Sequence, residues 1–226
     1  MKLADRVALA ALLLWCLLWM MLSGCSSFVD LSADLSDQGP VIERQHGPAT
    51  VWLRYADGST PVPPGHLYTG LVPPAADCDS ACRGALADGL RGRFGDLAID
   101  FVETEPKGTH YTVIINSGGD AWTPDAKPGR GGISPFWCQG IVGSTAFVFF
   151  AGELDSGTLT TMVAHEVGHL FGLEHTANDA TLMAPYASPL GQSFGNAETT
   201  DDQCGRKVQD EPKMLEAALG YRTVTQ

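Results

Sequence analysis

His165-Glu-Val-Gly-His-Leu-Phe-Gly-Leu-Glu-His175 is the stretch on which the reading of this chain turns. His165 and His169 are four residues apart, so a helix stacks them one turn above each other on a single face. Two imidazoles in that relation can hold one zinc ion at about 2.0–2.1 Å each. His175 cannot join them on an unbroken helix. Ten residues carry it ~15 Å along the axis, and at about 100° per residue it is turned away from His169. The helix must therefore end first, and Gly172 tolerates the left-handed turn that such an ending needs. The chain can then fold back to deliver His175. Three neutral imidazoles leave the fourth position of a tetrahedral zinc open to water, as in a catalytic rather than a structural site. Glu166 is the candidate general base. It would take a proton from the zinc-bound water and pass it later to a departing amine, while the metal acidifies that water and polarises a carbonyl. Residues of these types at these offsets arise by chance in about one chain in 10⁵ at average composition.

Working outward, the motif needs a helix starting near Ser156 or Thr158 and ending at Leu170 or Phe171. Before it, Thr145-Ala-Phe-Val-Phe-Phe150 reads as a buried strand. So do Thr50–Tyr55, Leu97–Glu103 and Tyr111–Asn116, each rich in β-branched or aromatic residues. A second helix is expected over Ser80–Phe94, capped by Asp79 or Ser80 and stopped by Gly95. Residues 57–77 and 117–135, rich in proline and glycine, read as loops, the second long enough to suggest a functional role. Phe147, Phe149 and Phe150 are expected in the core, while Trp122, Phe136 and Trp137 are candidates to line a cleft. Beyond the motif the chain is mostly irregular, with one helix broken or ended near Glu211-Pro212 and a last segment around Lys213–Gly220. Strands and helices in this order imply a layered α+β or α/β domain.

His-Glu-x-x-His-x-x-Gly-x-x-His resembles the metzincin zinc-peptidase motif, which a methionine turn follows. Thr181-Leu-Met-Ala-Pro-Tyr186 stands eight residues past His175, and its Leu-Met-x-Pro form is similar to matrixins. The resemblance implies an α+β fold with two lobes. The N-terminal lobe would be a twisted mixed sheet plus two helices, carrying His165, Glu166 and His169. A small irregular C-terminal lobe with one helix would carry His175 and the Met183 turn, with the boundary near residue 172. It also implies one catalytic Zn²⁺ and a peptide substrate pairing with an edge strand. Tyr186 is a candidate contact to metal or transition state, although it comes three residues after Met183 rather than two. Thr200-Asp201-Asp202-Gln203 resembles, weakly, the start of a matrixin C-terminal helix. His46, His66 and His110 are scattered, so the second, structural zinc site of matrixins is not reproduced. Calcium ligands could come from Asp120, Asp125 or Asp179, but no spacing supports them.

The N-terminus addresses location. Lys2 and Arg6 precede an apolar run from Val7 to Leu22, then Leu22-Ser23-Gly24-Cys25. Residues 1–24 read as a secretory signal. Leu22-Ser23-Gly24-Cys25 resembles a bacterial lipobox, which makes Cys25 the lipidated first residue of the mature protein. Residues 25–47 read as a flexible tether and 48–226 as the metallopeptidase domain. The expected place is the bacterial cell envelope, anchored by lipid, with Ser26 pointing to the outer membrane. Cys78, Cys82, Cys138 and Cys204 remain for disulfides in an oxidising compartment, and of the three pairings Cys78–Cys82 with Cys138–Cys204 is favoured.

Removing residues 1–24 leaves 12 basic and 25 acidic residues, a charge of −13. No basic cluster is present, so nucleic acid is not expected as a partner. A monomer is expected. The function expected is a membrane-tethered zinc endopeptidase. The competing classes are a zinc-binding surface lipoprotein without activity and a zinc amidase acting on cell-wall material.

Overall fold

In a computed structural model of the chain, residues 47–152, 155–185, 192–200 and 203–222 are described, all within one unit, Val41–Gln226. In chain order the elements are β1 (Ala49–Tyr55), α1 (Ser80–Phe94), β2 (Ile99–Val102), β3 (Tyr111–Asn116), β4 (Gly132–Ile133) and β5 (Thr145–Phe149). Then come α2 (Ser156–Leu170), β6 (Asn196–Glu198), β7 (Val208–Asp210) and α3 (Glu211–Leu219). Residues 1–24, read as a secretory signal, lie outside the described residues, as do Cys25, Tyr186, and Asp201 and Asp202 of the segment expected to open a C-terminal helix.

Five strands form one sheet in the order β2-β1-β3-β5-β4. The β1–β2, β1–β3 and β3–β5 pairs are parallel, and β4 closes the edge antiparallel to β5. The fold is the mixed-sheet α+β arrangement that the motif implied. Strand alternation divides the core. Val113 and Ile115 of β3, with Ala146 and Val148 of β5, face α1 and α2. Ile114, Phe147 and Phe149 face the other way, where Tyr68 and Trp122 pack on them. Trp122 thus belongs to the core on the sheet's far face. The helices meet at Gly89 of α1, where a Cβ would come within 2.5 Å of the Thr160 hydroxyl.

The long loop before β4 is held from within. Arg130 lies between Asp120 and Asp125, at 3.3 and 3.2 Å, and the Tyr68 hydroxyl donates to Asp125 at 2.9 Å. The two disulfides are Cys78–Cys82, at the start of α1, and Cys138–Cys204, which joins the segment after β4 to the one before β7.

Three local expectations are corrected. Gly132–Ile133 pairs as the edge strand inside a segment read as loop. Pro212 does not break or end a helix: it lies in the first turn of α3, where the N–H it lacks has no intrahelical partner anyway, and the Asp210 side chain caps that turn at Lys213 N, 3.2 Å. Gln203 and Cys204 form a turn rather than a helix start.

Candidate metal centre

The first two ligand candidates come from α2. The Asp155 carboxylate accepts from Thr158 N at 3.0 Å and caps the helix. The helix then runs to Leu170 with His165, Glu166 and His169 all buried. Its end is a Schellman turn: Leu173 N donates to Gly168 O at 3.1 Å and Gly172 N to His169 O at 2.9 Å. Gly172 has φ +85°. The reversal that the spacing required is thus made by the glycine that allows it.

After the reversal, three Nε2 atoms converge. They are separated by 3.1 Å (His165–His169), 3.2 Å (His169–His175) and 3.3 Å (His165–His175). Among the described residues these three form the one cluster of metal-binding side chains. His165 Nδ1 lies 2.9 Å from Leu182 O, and His169 Nδ1 lies 2.7 Å from Leu173 O. A carbonyl oxygen only accepts, so each Nδ1 carries the hydrogen and each Nε2 carries the lone pair. Lone pairs meeting at 3.1 Å repel unless a cation lies among them. Tetrahedral zinc spaces its nitrogen ligands about 3.3 Å apart, so the donor set fits that ion in number, type and spacing.

The electrostatics agree. Burial, with repulsion from His175, pulls His165 down to about 4. Burial and the two neighbouring rings pull His169 well below its ordinary range. Both imidazoles are therefore neutral at pH 7, as ligands must be. Burial pushes Glu166 up to about 8, opposed by a hydrogen bond from Ser134. A divalent cation nearby favours the ionised carboxylate.

The Glu166 carboxyl lies against the edge strand. A Cβ on Gly132 would overlap it, so bare backbone passes there. Ser134, just after β4, donates to Glu166 Oε2 at 2.8 Å, and its hydroxyl also lies 2.9 Å from Glu166 O. Phe136 stands edge-on to His169 with centroids 6.0 Å apart.

Met183 is buried beneath the ligands. A Cβ on Gly168 would come within 2.5 Å of its sulfur, so that glycine makes room for the methionine. The preceding residue's carbonyl, Leu182 O, orients His165. Thr176 N donates to Met183 O at 2.9 Å, closing the loop behind His175. Glu211 is buried beside Thr176, Thr181 and Met183. Its Oε2 accepts from Gly195 N at 2.9 Å, and burial raises the carboxyl to about 7.

His165, Glu166, His169, His175 and Met183 therefore gather in one place. Asp120 and Asp125 are engaged by Arg130, and Asp179 presents its carbonyl to Gln192 at 2.8 Å. Ser134, Gly132 and Gly168 were not singled out from the sequence; no local pattern marks the first two, whereas Gly168 lies inside the motif itself, between His165 and His169. The matrixin family model matches residues 95–207, half of the chain. No curated protein matches it.

Proposed function

The chain belongs to the matrixin family of zinc metallopeptidases, and from that premise we propose that it is a zinc-dependent endopeptidase in which Glu166 is the general base. His165, His169 and His175 hold the zinc, whose Lewis acidity lowers the pKa of water and polarises a carbonyl. Glu166 accepts a proton from the attacking water and later gives it to the departing amine nitrogen. Ser134 holds Oε2 of that carboxylate at 2.8 Å, and Oε1 lies against the bare backbone of Gly132. The peptide lies along β4, whose outer edge offers backbone groups in the β-augmentation manner. Phe136 borders the cleft beside His169. The observation that carries this reading is the convergence of three imidazole Nε2 atoms, 3.1 to 3.3 Å apart, next to a buried carboxylate.

The N-terminal sequence supports a membrane tether: residues 1–24 direct export, Cys25 carries the lipid, and residues 25–47 link it to the peptidase domain, 48–226. The enzyme then works in the bacterial cell envelope, where Cys78–Cys82 and Cys138–Cys204 stay oxidised.

The test pairs zinc content with cleavage of an unfolded protein by the wild type and by Glu166→Gln. One zinc per chain in both, with cleavage reduced at least ~100-fold in the variant, is expected. Zinc in both with equal cleavage refutes Glu166 as the base. Zinc without any proteolysis, but with cleavage of cell-wall amides, replaces the endopeptidase reading by the amidase one.

A further inference from the structure

His165 and His169 are placed by a helix, but His175 sits on irregular chain, and the segment just before it is gripped from two sides. On one side is the turn at residues 138–140. A Cβ on Gly172 would come within 2.9 Å of Cys138 O and Gly140 N, and Ile141 N donates to Leu170 O at 3.2 Å. On the other side is the segment leading into β7. Arg206 Nη2 donates to Gly172 O at 2.8 Å. Gln209 pairs with the backbone of Glu174 in both directions: its Oε1 accepts Glu174 N at 2.8 Å and its Nε2 donates to Glu174 O at 2.9 Å. The Glu174 carboxylate, 2% exposed, accepts from Cys204 N at 2.9 Å and Arg206 Nε at 3.0 Å. The Cys138–Cys204 bridge then ties the two sides together across 66 residues of sequence.

We propose that this disulfide-closed clasp is a positioning device for the third zinc ligand, with Glu174 as its central positioning residue. The inference rests on the metal-site reading above. Glu174 touches neither the cluster of Nε2 atoms nor Glu166; it acts through the backbone that carries His175. A buried carboxylate is tolerated because Arg206 and a backbone N–H satisfy it. Those bonds fix the residue immediately before the ligand, so His175 meets the other two imidazoles without first being ordered. The clasp's energy therefore goes into metal retention as well as folding, as for other groups that orient ligands from behind.

The test measures the zinc dissociation constant by competition with a chromogenic chelator, and separately the melting temperature of the metal-free protein. The variants are Glu174→Gln, Gln209→Ala and the double variant Cys138→Ser/Cys204→Ser. The control is Cys78→Ser/Cys82→Ser, which removes the bridge remote from the ligands. The clasp variants should weaken zinc about 10- to 100-fold, while the control leaves affinity within about twofold even where its melting temperature falls. Should the double serine variant not fold, the single substitutions carry the test. Clasp variants that fold and hold zinc as tightly as wild type overturn the proposal, and so does a control that weakens zinc equally. Wild-type protein that takes up no zinc overturns the metal site and, with it, the clasp's role.

Discussion

At the scale of single residues, hydrogen-bond direction decides the chemistry. Leu182 O and Leu173 O fix the protons of His165 and His169 on Nδ1, and this turns a cluster of rings into a set of ligands. Glu166 is handled in the same way: one carboxylate oxygen is held by Ser134 and the carboxyl is backed by the bare backbone of Gly132. If Glu166 is the base proposed above, Ser134→Ala should lower kcat about tenfold, with KM within about twofold and zinc content unchanged, because the carboxylate would lose its orientation and not its identity. Steady-state kinetics beside metal analysis checks this; an unchanged kcat would show that the hydroxyl does not matter to the base. That His165, His169 and His175 gather beside Glu166 was readable from spacing, since helical geometry ties offset to direction and shows where the helix must end. Ser134 was not, because its contact with Glu166 spans 32 residues and depends on where the edge strand falls.

At the scale of elements, the decisive feature is how α2 stops. Gly172 was legible as the stop, and the structure gives it two reasons to be glycine: φ of +85°, and backbone at 2.9 Å where a Cβ would sit. Gly172→Ala should cost ~2 kcal/mol or more, combining the left-handed penalty with a contact that only a backbone shift relieves. Gly84→Ala in α1, where nothing lies within 4 Å of the added carbon, should instead stabilise by up to ~1 kcal/mol. Denaturant unfolding of the two variants provides the comparison, and equal effects would contradict this account of the helix end. The longer strands were readable because β1 and β3 are rich in β-branched and aromatic residues, and β3 is buried along its whole length. The edge strand was not, since two residues between glycine and serine carry no period. Pro212 was misread because the same ring that breaks a helix interior fits its first turn.

At the scale of the whole molecule, the site is assembled from α2, the edge strand β4, the Met183 turn and the segment before β7, which a disulfide joins to the segment after β4. The sequence showed the cysteines and favoured their pairing. It did not show that Cys138 and Cys204 flank the return of the third ligand, which only tertiary structure brings about. This division of labour predicts a metal centre built from three imidazoles and an open position. X-ray absorption at the zinc edge of the loaded protein tests that most directly. One zinc per chain with three imidazole nitrogens and one further light atom at about 2.0–2.1 Å, and no sulfur, is expected. Fewer than three imidazoles, or thiolate scattering at about 2.3 Å, would contradict it.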